Sequence, residues 1–104
     1  MLYELRIYRC VPGKRGAVLD RIRSTVLPIW ERYGIRPFKF WTAVTDEGGD
    51  ELYYMLEWSS LAERDERLSA FRADDEWGQR RAESEADGPL ILSESSTVLA
   101  EVDM

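Results

Sequence analysis

The chain of 104 residues contains no histidine, no asparagine and a single cysteine. Without histidine it can supply neither a Ser-His-Asp triad, nor a histidine-ligated zinc site, nor the proximal histidine of a haem group. The lone cysteine, Cys10, cannot form a disulfide within the chain and is typical of a reducing compartment. We interpret Cys10 as a packed strand residue, because a nucleophilic thiol would need a general base beside it.

Long apolar runs and export signals are also missing. No stretch of about 18 uncharged apolar residues occurs, and no basic segment precedes an apolar run at the start. We therefore expect no membrane span, no membrane partner and a cytoplasmic location. With 44% hydrophobic and 33% charged residues, the composition predicts one globular domain over residues 1–104 with a single core.

Acidic residues outnumber basic ones by 20 to 14, a net charge of −6, but the two signs are separated along the chain. Residues 1–45 contain nine basic and three acidic side chains, net +6, whereas residues 46–104 contain five basic and seventeen acidic ones, net −12. We expect these two segments to attract each other in the folded chain. Because the acidic segment would repel phosphates, we do not expect nucleic acid as a partner.

Alternation of apolar and polar residues predicts four strands, over Leu2–Cys10, residues 37–45, Glu51–Trp58 and residues 90–102. Between the second and third strands, residues 46–50 contain two glycines and three acids, which is typical of a hairpin turn.

Apolar residues at helical spacing predict the intervening helices. A long helix runs from Lys14 to a left-handed cap at Gly34 and should be kinked by Pro28. A second helix begins after an N-cap at Ser59 or Ser60, and a shorter one begins at the acids of residues 74–76. Capping and the helix dipole explain these three acids, so we expect no metal site there.

The order strand, helix, strand, strand, helix, strand is the ferredoxin-like βαββαβ pattern. It predicts an α+β fold in which the helices cover one face of an antiparallel sheet. The other face should be polar if it were exposed to water. Instead, whichever alternating set faces the helices, the opposite face keeps large side chains. One set consists of Glu4, Arg6, Tyr8, Lys39, Trp41, Tyr53, Met55 and Glu57. Since such residues are enriched at interfaces, we predict a homodimer formed face to face through the sheets.

Two interpretations of this face remain open. In the structural one, Arg6 pairs with Glu57 across neighbouring strands and locks the dimer of a non-catalytic binding or assembly module. In the functional one, Arg6, Tyr8, Trp41, Tyr53 and Glu57 form a ligand-binding pocket in which the arginine holds an anionic or enolic substrate. An accessible cavity of about 300 Å³ that reaches these side chains would favour the functional interpretation.

A rival cavity would lie between the helices and the sheet. The sequence predicts that Tyr3, Tyr54, Trp58 and part of Phe38 would line it. Large aromatic side chains in this position belong more often to a core than to a binding site.

A series of short motifs extends over nearly the whole chain. In order they are YELRIY at 3–8, PGK at 12–14, LP at 27–28, YGI at 33–35, FWT at 40–42, LAER at 61–64 and DEW at 75–77. Together, at these spacings, they resemble the NIPSNAP family. The resemblance implies a dimeric α+β barrel, in which two ferredoxin-like sheets pack face to face.

The chemistry that the resemblance implies is broad. Related barrels include cofactor-free monooxygenases of aromatic polyketides or quinols, haem-degrading enzymes, dye-decolourising peroxidases and lactone isomerases. The haem branches rely on histidine, which is absent here, whereas the cofactor-free branch uses tryptophan, tyrosine, arginine and asparagine, of which only asparagine is absent. The resemblance thus favours a cofactor-independent oxygenase or isomerase that binds a small aromatic or polyketide-like molecule. In this hypothesis Arg6 fixes a substrate oxygen, Trp41 and Tyr53 enclose the ring, and Tyr8 or Glu57 moves a proton.

Overall fold

The computed structural model describes residues 1–45 and 49–104. No helix in these ranges is long and apolar enough to cross a bilayer. The elements in chain order are β1 (Leu2–Cys10), α1 (Arg15–Arg21), a π-helical turn (Ile22–Val26), α2 (Leu27–Tyr33), β2 (Arg36–Trp41), β3 (Glu51–Trp58), α3 (Leu61–Arg72), α4 (Asp75–Ser84) and β4 (Ile91–Ala100).

The four strands form one antiparallel sheet in the order β2-β3-β1-β4, with the helices packed on one face. This is the predicted α+β ferredoxin-like fold. The core lies between that face and the helices, where the largest fully buried apolar side chains are Trp58, Tyr54, Ile29, Leu52 and Leu56. We refer below to this side of the sheet as the helix face and to the other side as the open face.

The irregularity expected at Pro28 takes the form of the π-helical turn directly before α2. In this turn the N–H of Leu27 bonds the carbonyl of Ile22, five residues earlier. Proline lacks an N–H, and its ring clashes with the carbonyl four residues before it in a regular α-helix. The wider turn accommodates Pro28 near the start of α2 and lets the helical segment continue to its cap at Gly34, which has φ 69°.

The π turn also suits the spacing of the apolar residues. Val18, Ile22, Val26 and Trp30 follow one another at intervals of four and are all buried. In a regular α-helix each interval of four drifts by about 40° around the axis, so the stripe would spiral away from the sheet. The wider turn offsets part of this drift and keeps the four side chains on one wall.

Both predicted N-caps are present. The Ser60 hydroxyl accepts from the N–H of Glu63 at 3.1 Å and caps α3. Asp74 accepts from the N–H of Trp77 at 2.8 Å and caps α4. Asp74 is therefore the capping group, and Asp75 and Glu76 lie in the first turn of α4, where the helix dipole favours acids.

The side chains of β1 face opposite to the prediction. Arg6 lies opposite Tyr54 in β3, whereas Tyr3 lies opposite Glu57. Because residues directly opposite in an antiparallel pair share a face, Arg6 lies on the helix face and Glu57 on the open face. The predicted pairing of Arg6 with Glu57 is therefore wrong.

The reversal has a physical cause in Glu4, whose side chain is fully buried. Its carboxylate accepts from Trp58 Nε1 at 2.9 Å, from Arg64 Nε at 2.9 Å and from the Ser96 hydroxyl. A buried charge with several donors is tolerated in a core, so polarity alone does not place a strand residue outside. The residues that the reversal moves to the open face are apolar or aromatic: Tyr3, Leu5 and Ile7.

Strand β2 is shorter than predicted, since it covers Arg36–Trp41 rather than residues 37–45. The register between β2 and β3 shifts between Pro37 and Lys39, at Phe38. The ring of Phe38 lies on the open face, and its centroid is 6.1 Å from that of Tyr3. The predicted turn at residues 46–50 includes residues 46–48, which lie outside the described residues.

Ion pairs connect the basic first segment with the acidic second one, as the charge distribution predicted. Several ion pairs of 3.4 Å or less join a basic residue of the first segment to an acid of the second. They are Arg9–Glu51, Arg21–Glu85, Arg32–Glu76 and Arg36–Glu63. One runs in the opposite sense, from Arg64 to Glu4.

Candidate functional site

A cavity of about 300 Å³ lies between the helix face of the sheet and the helices. The buried side chains at intervals of four, from Val18 to Trp30, form its wall along the first helical segment. Further apolar side chains come from α3 and β4. The apolar aliphatic side chains that line it are Val18, Ile22, Val26, Leu68, Ile91 and Leu92.

Five aromatic rings line the same cavity and contact one another. Tyr8 meets Tyr54 edge to face with ring centroids 5.2 Å apart, and Trp30 lies 5.9 Å from Tyr54. On the other side, Trp30 packs 6.0 Å from Phe71, which stacks on Trp77 at 5.1 Å and 26°. Such a wall favours a flat, apolar ligand body, since aromatic rings stack on or pack against one another in defined geometries.

Two tyrosine hydroxyls meet at the sheet side of the cavity. Tyr54 donates to Tyr8 at 2.7 Å. Burial, and then the neighbouring Tyr8, raise the pKa of Tyr54 well above its ordinary value, and burial likewise raises the pKa of Tyr8. Both hydroxyls therefore stay protonated at neutral pH and act as hydrogen-bond donors rather than as bases.

Arg6 brings a positive charge to this hydroxyl pair. Its side chain is 12% exposed, and its carbon Cζ lies 6.0 Å from the ring centre of Tyr54. The guanidinium has two carboxylates nearby, with Nε 3.9 Å from Glu4 and Nη2 3.8 Å from Glu94. Both distances exceed a normal hydrogen bond.

The side of the cavity formed by α4 is held by charged groups. Arg21, with a side chain 8% exposed, donates to the Ser84 hydroxyl at 3.0 Å and lies 3.4 Å from Glu85. Its guanidinium also lies over the Trp77 ring at 5.3 Å. Because α4 contains no buried residue, its attachment to the rest of the domain depends on these contacts, on the stacking of Trp77 on Phe71 and on the ion pair of Arg32 with Glu76.

The buried Glu4 lies beside this site and holds the surrounding strands and helix α3 together through its hydrogen bonds. Burial alone would raise the pKa of Glu4, but the hydrogen bonds from Arg64, Ser96 and Trp58 outweigh it and hold the pKa below its ordinary value. Glu4 is therefore ionised at neutral pH and joins three strands to helix α3.

The structure separates the five predicted ligand-binding residues into two groups. Arg6 and Tyr8 line the cavity, whereas Trp41, Tyr53 and Glu57 lie on the open face. The prediction that all five converge on one pocket is wrong because the faces of β1 and β3 were matched out of phase. On the open face, Tyr53 donates to Glu51 at 2.5 Å.

The rival cavity was correctly placed between helices and sheet, but its predicted lining was mostly wrong. Only Tyr54 of the four predicted residues lines it. Tyr3 and Phe38 lie on the open face, and Trp58 is fully buried and donates to Glu4. Sequence reasoning missed Arg21, Trp30, Phe71 and Trp77 as cavity residues, although the repeated interval of four in the first helix was a signal for Trp30.

A model of the NIPSNAP family matches residues 3–104. The chain belongs to the NIPSNAP family. The comparison with curated proteins finds no match.

Solved structures share the fold over nearly the whole chain. A NIPSNAP family protein from Agrobacterium tumefaciens is 22% identical, with a TM-score of 0.84, and the match covers 98% of this chain and 93% of that one. An uncharacterised NIPSNAP domain protein from Burkholderia xenovorans is 20% identical, with a TM-score of 0.83 and coverage of 98% and 95%. The protein Rv0793 from Mycobacterium tuberculosis is 20% identical, with a TM-score of 0.64 and coverage of 99% and 96%. At these identities the neighbours establish the fold alone.

Proposed function

We propose that this NIPSNAP chain binds a small aromatic or polyketide-like molecule in the cavity between the sheet and the helices. The observation that carries the proposal is the cavity itself, about 300 Å³ in volume and lined by five aromatic rings beside a largely buried arginine. This volume lies at the lower end of the range for small-molecule sites, which are mostly apolar with a few placed polar groups.

The chemistry that these side chains support is stabilisation of negative charge on a substrate oxygen. Arg6 supplies the positive charge, and the Tyr8–Tyr54 pair supplies protonated hydroxyls. Cofactor-independent oxygenation and enol-type isomerisation both develop charge on such an oxygen, so we propose one of these two reaction classes. In this version of the hypothesis the ring is enclosed by Trp30 and Phe71, in place of Trp41 and Tyr53.

Filling the cavity is expected to abolish ligand binding while the domain stays folded. In Val26→Phe, the larger side chain can enter the existing space, so the overpacking cost should be small. A thermal-shift screen with quinols, aromatic polyketides and lactones should find a ligand that stabilises the unmodified protein by about 2.7 kcal/mol at a hundredfold excess over Kd. The same ligand should give no shift with Val26→Phe.

The matched control is Val44→Phe, because Val44 is 96% exposed and does not line the cavity. This variant should keep the full thermal shift. A ligand that stabilises both variants equally would place the binding site elsewhere and contradict the proposal.

A second candidate function, a homodimeric binding or assembly module, is favoured by the open face. Here Phe38, Trp41 and Leu99 are 48%, 40% and 39% exposed, although each is large and apolar. A depression of about 310 Å³ lies among Tyr3, Phe38, Met55, Leu99, Ala100 and Glu101. Exposed apolar surface of this kind on a sheet is typical of an interface, and a second copy of the chain would cover it face to face.

A charge at the centre of the open face is expected to separate such a dimer. Leu5 lies on the central strand β1, opposite Met55, so Leu5→Lys should bring two ammonium groups into the interface and cost several kcal/mol. Sedimentation equilibrium at micromolar concentration should give twice the 12.1 kDa chain mass for the unmodified protein and a monomer for the variant.

The control is Leu61→Lys, since Leu61 is 54% exposed on the opposite side of the molecule and should leave the dimer intact. A 12.1 kDa species for the unmodified protein would rule out this candidate function.

A further inference from the structure

Donor groups without acceptors gather at the cavity. Within the described part of the chain, Arg6 Nε and Trp30 Nε1 are buried and have no hydrogen-bond partner. Tyr8 uses its oxygen to accept from Tyr54, and no described residue accepts the proton of Tyr8 itself. Buried donors are normally satisfied, so this arrangement leaves room for a ligand that carries acceptor oxygens.

Positive side chains outnumber negative ones in the described lining of the cavity, which also favours an anionic ligand. Among the residues that the structure describes, four arginines lie there against two carboxylates. Arg21 and Arg81 share Glu85 at 3.4 Å and 3.0 Å, and Arg72 forms no ion pair with residues in the ranges that the structure describes. The resulting field attracts an anion to the cavity.

The pairing of Arg6 with Glu94 is loose enough to be exchanged. Glu94 is 48% exposed and lies 3.8 Å from the guanidinium, beyond hydrogen-bond distance. The other neighbour, Glu4, is committed to Arg64, Trp58 and Ser96 by hydrogen bonds. An incoming carboxylate could therefore take the place of Glu94 without disturbing the buried network.

We propose that the ligand of this cavity is a planar acid bound as its anion, with Arg6 as the anchor and Glu94 as an internal substitute that the anion displaces. This inference rests on the proposed function, because it names the chemical class of the ligand for the same cavity.

The two tyrosine hydroxyls at the cavity cannot ionise the ligand, so a ligand that is already an anion suits them best. The two hydroxyls beside Arg6 keep their protons, because burial raises the pKa of both Tyr8 and Tyr54. Tyr8 can donate to an anion while it accepts from Tyr54, but neither hydroxyl can remove a proton from a neutral ligand. A carboxylic acid or an acidic enol, ionised at neutral pH, fits this requirement better than an ordinary phenol, whose pKa is about 10 as in tyrosine.

The test compares two probes that share a ring system and differ in charge. 2-Hydroxy-1,4-naphthoquinone is an acidic enol and an anion at neutral pH, whereas 2-methoxy-1,4-naphthoquinone has no ionisable proton. Isothermal titration calorimetry should give at least about tenfold tighter binding of the anion to the unmodified protein, the range for hydrogen bonds to a charged group.

Two variants test the roles of the charged side chains. Arg6→Met should bind the two probes with equal affinity, because it keeps the apolar stem and removes the cation. Glu94→Gln should bind the anionic probe several-fold more tightly than the unmodified protein does, with no change for the methoxy probe. Because Glu94 is half-exposed, Glu94→Gln should fold normally even if Arg6→Met does not.

Three outcomes would overturn the inference. Equal binding of both probes to the unmodified protein would retain a ring-binding cavity but reject an anionic ligand. An unchanged affinity of Glu94→Gln for the anion would reject the displacement of Glu94. Failure of both probes to bind the folded protein would count against the proposed function as well.

Discussion

Glu4→Gln is expected to lower the free energy of unfolding by about 3 kcal/mol at pH 7, because it removes one partner of a buried charged network. The amide keeps the size of the side chain, and its single oxygen can still accept from Trp58. Its NH₂ group then replaces the oxygen that accepts from Ser96. It cannot balance the charge of Arg64, which lies 2.9 Å from the carboxylate and connects helix α3 to the sheet. Urea unfolding followed by tryptophan fluorescence measures the difference.

The same substitution predicts a pH dependence with a definite sign. Because the pKa of Glu4 in the folded chain lies below its ordinary value of 4.5, its stabilising contribution is complete above pH 4.5. The contribution is lost as the pH falls through the folded pKa. The stability difference between the unmodified protein and Glu4→Gln should therefore shrink steadily below pH 4.5.

The control for both measurements is Glu57→Gln, a glutamate on the open face that forms no side-chain ion pair with the described residues. Its effect on stability should stay within about 0.5 kcal/mol. Equal losses from Glu4→Gln and Glu57→Gln would contradict the assignment of Glu4 as the centre of the network.

The second large effect is expected from Trp77→Ala, at about 3 kcal/mol. Trp77 stacks on Phe71 and lies under the guanidinium of Arg21, and helix α4 contains no buried residue of its own. Without this ring, α4 should detach from the domain while the sheet and α3 remain in place. Hydrogen exchange should show lost amide protection across α4 and nearly unchanged protection in β1 and β3.

Trp41→Ala is the matched control, since Trp41 is 40% exposed on the open face and does not contact α4. It should leave the exchange of α4 amides unchanged. Loss of protection throughout the sheet in Trp77→Ala would show that α4 is part of one cooperative unit rather than a separately attached helix.

The order of elements was predictable because each carries a local signal. The alternation in β1 and β3, the cap residues Ser60 and Asp74, and the stop at Gly34 depend on neighbours in sequence, and the structure confirms all of them. The end of β2 was less predictable, since the residues after Trp41 keep alternating in sequence although they leave the sheet.

The candidate site was predictable only in part, because a period of two does not say which of two alternating sets faces the core. For β1, the apolar set Tyr3, Leu5 and Ile7 was the ordinary choice for the inside. The deciding contacts of Glu4 come from Arg64 and Ser96, which are distant along the chain. Local sequence therefore identified Arg6 and Tyr8 as notable residues but assigned them to the wrong side of the sheet.

The π turn makes the cavity depend on the number of residues in the first helical segment, and not only on their identities. Deleting one residue from Ile22–Val26 would restore an ordinary helical turn. Trp30 would then follow Val18 at an angle of about 20° around a regular helix and would keep its place on the cavity wall. Adding one residue instead would rotate everything after it by about 100° and turn Trp30 away from that wall, even though no cavity residue had been substituted. The shape available to a ligand is thus encoded partly as a length, and a single-codon insertion would change it more than most substitutions could.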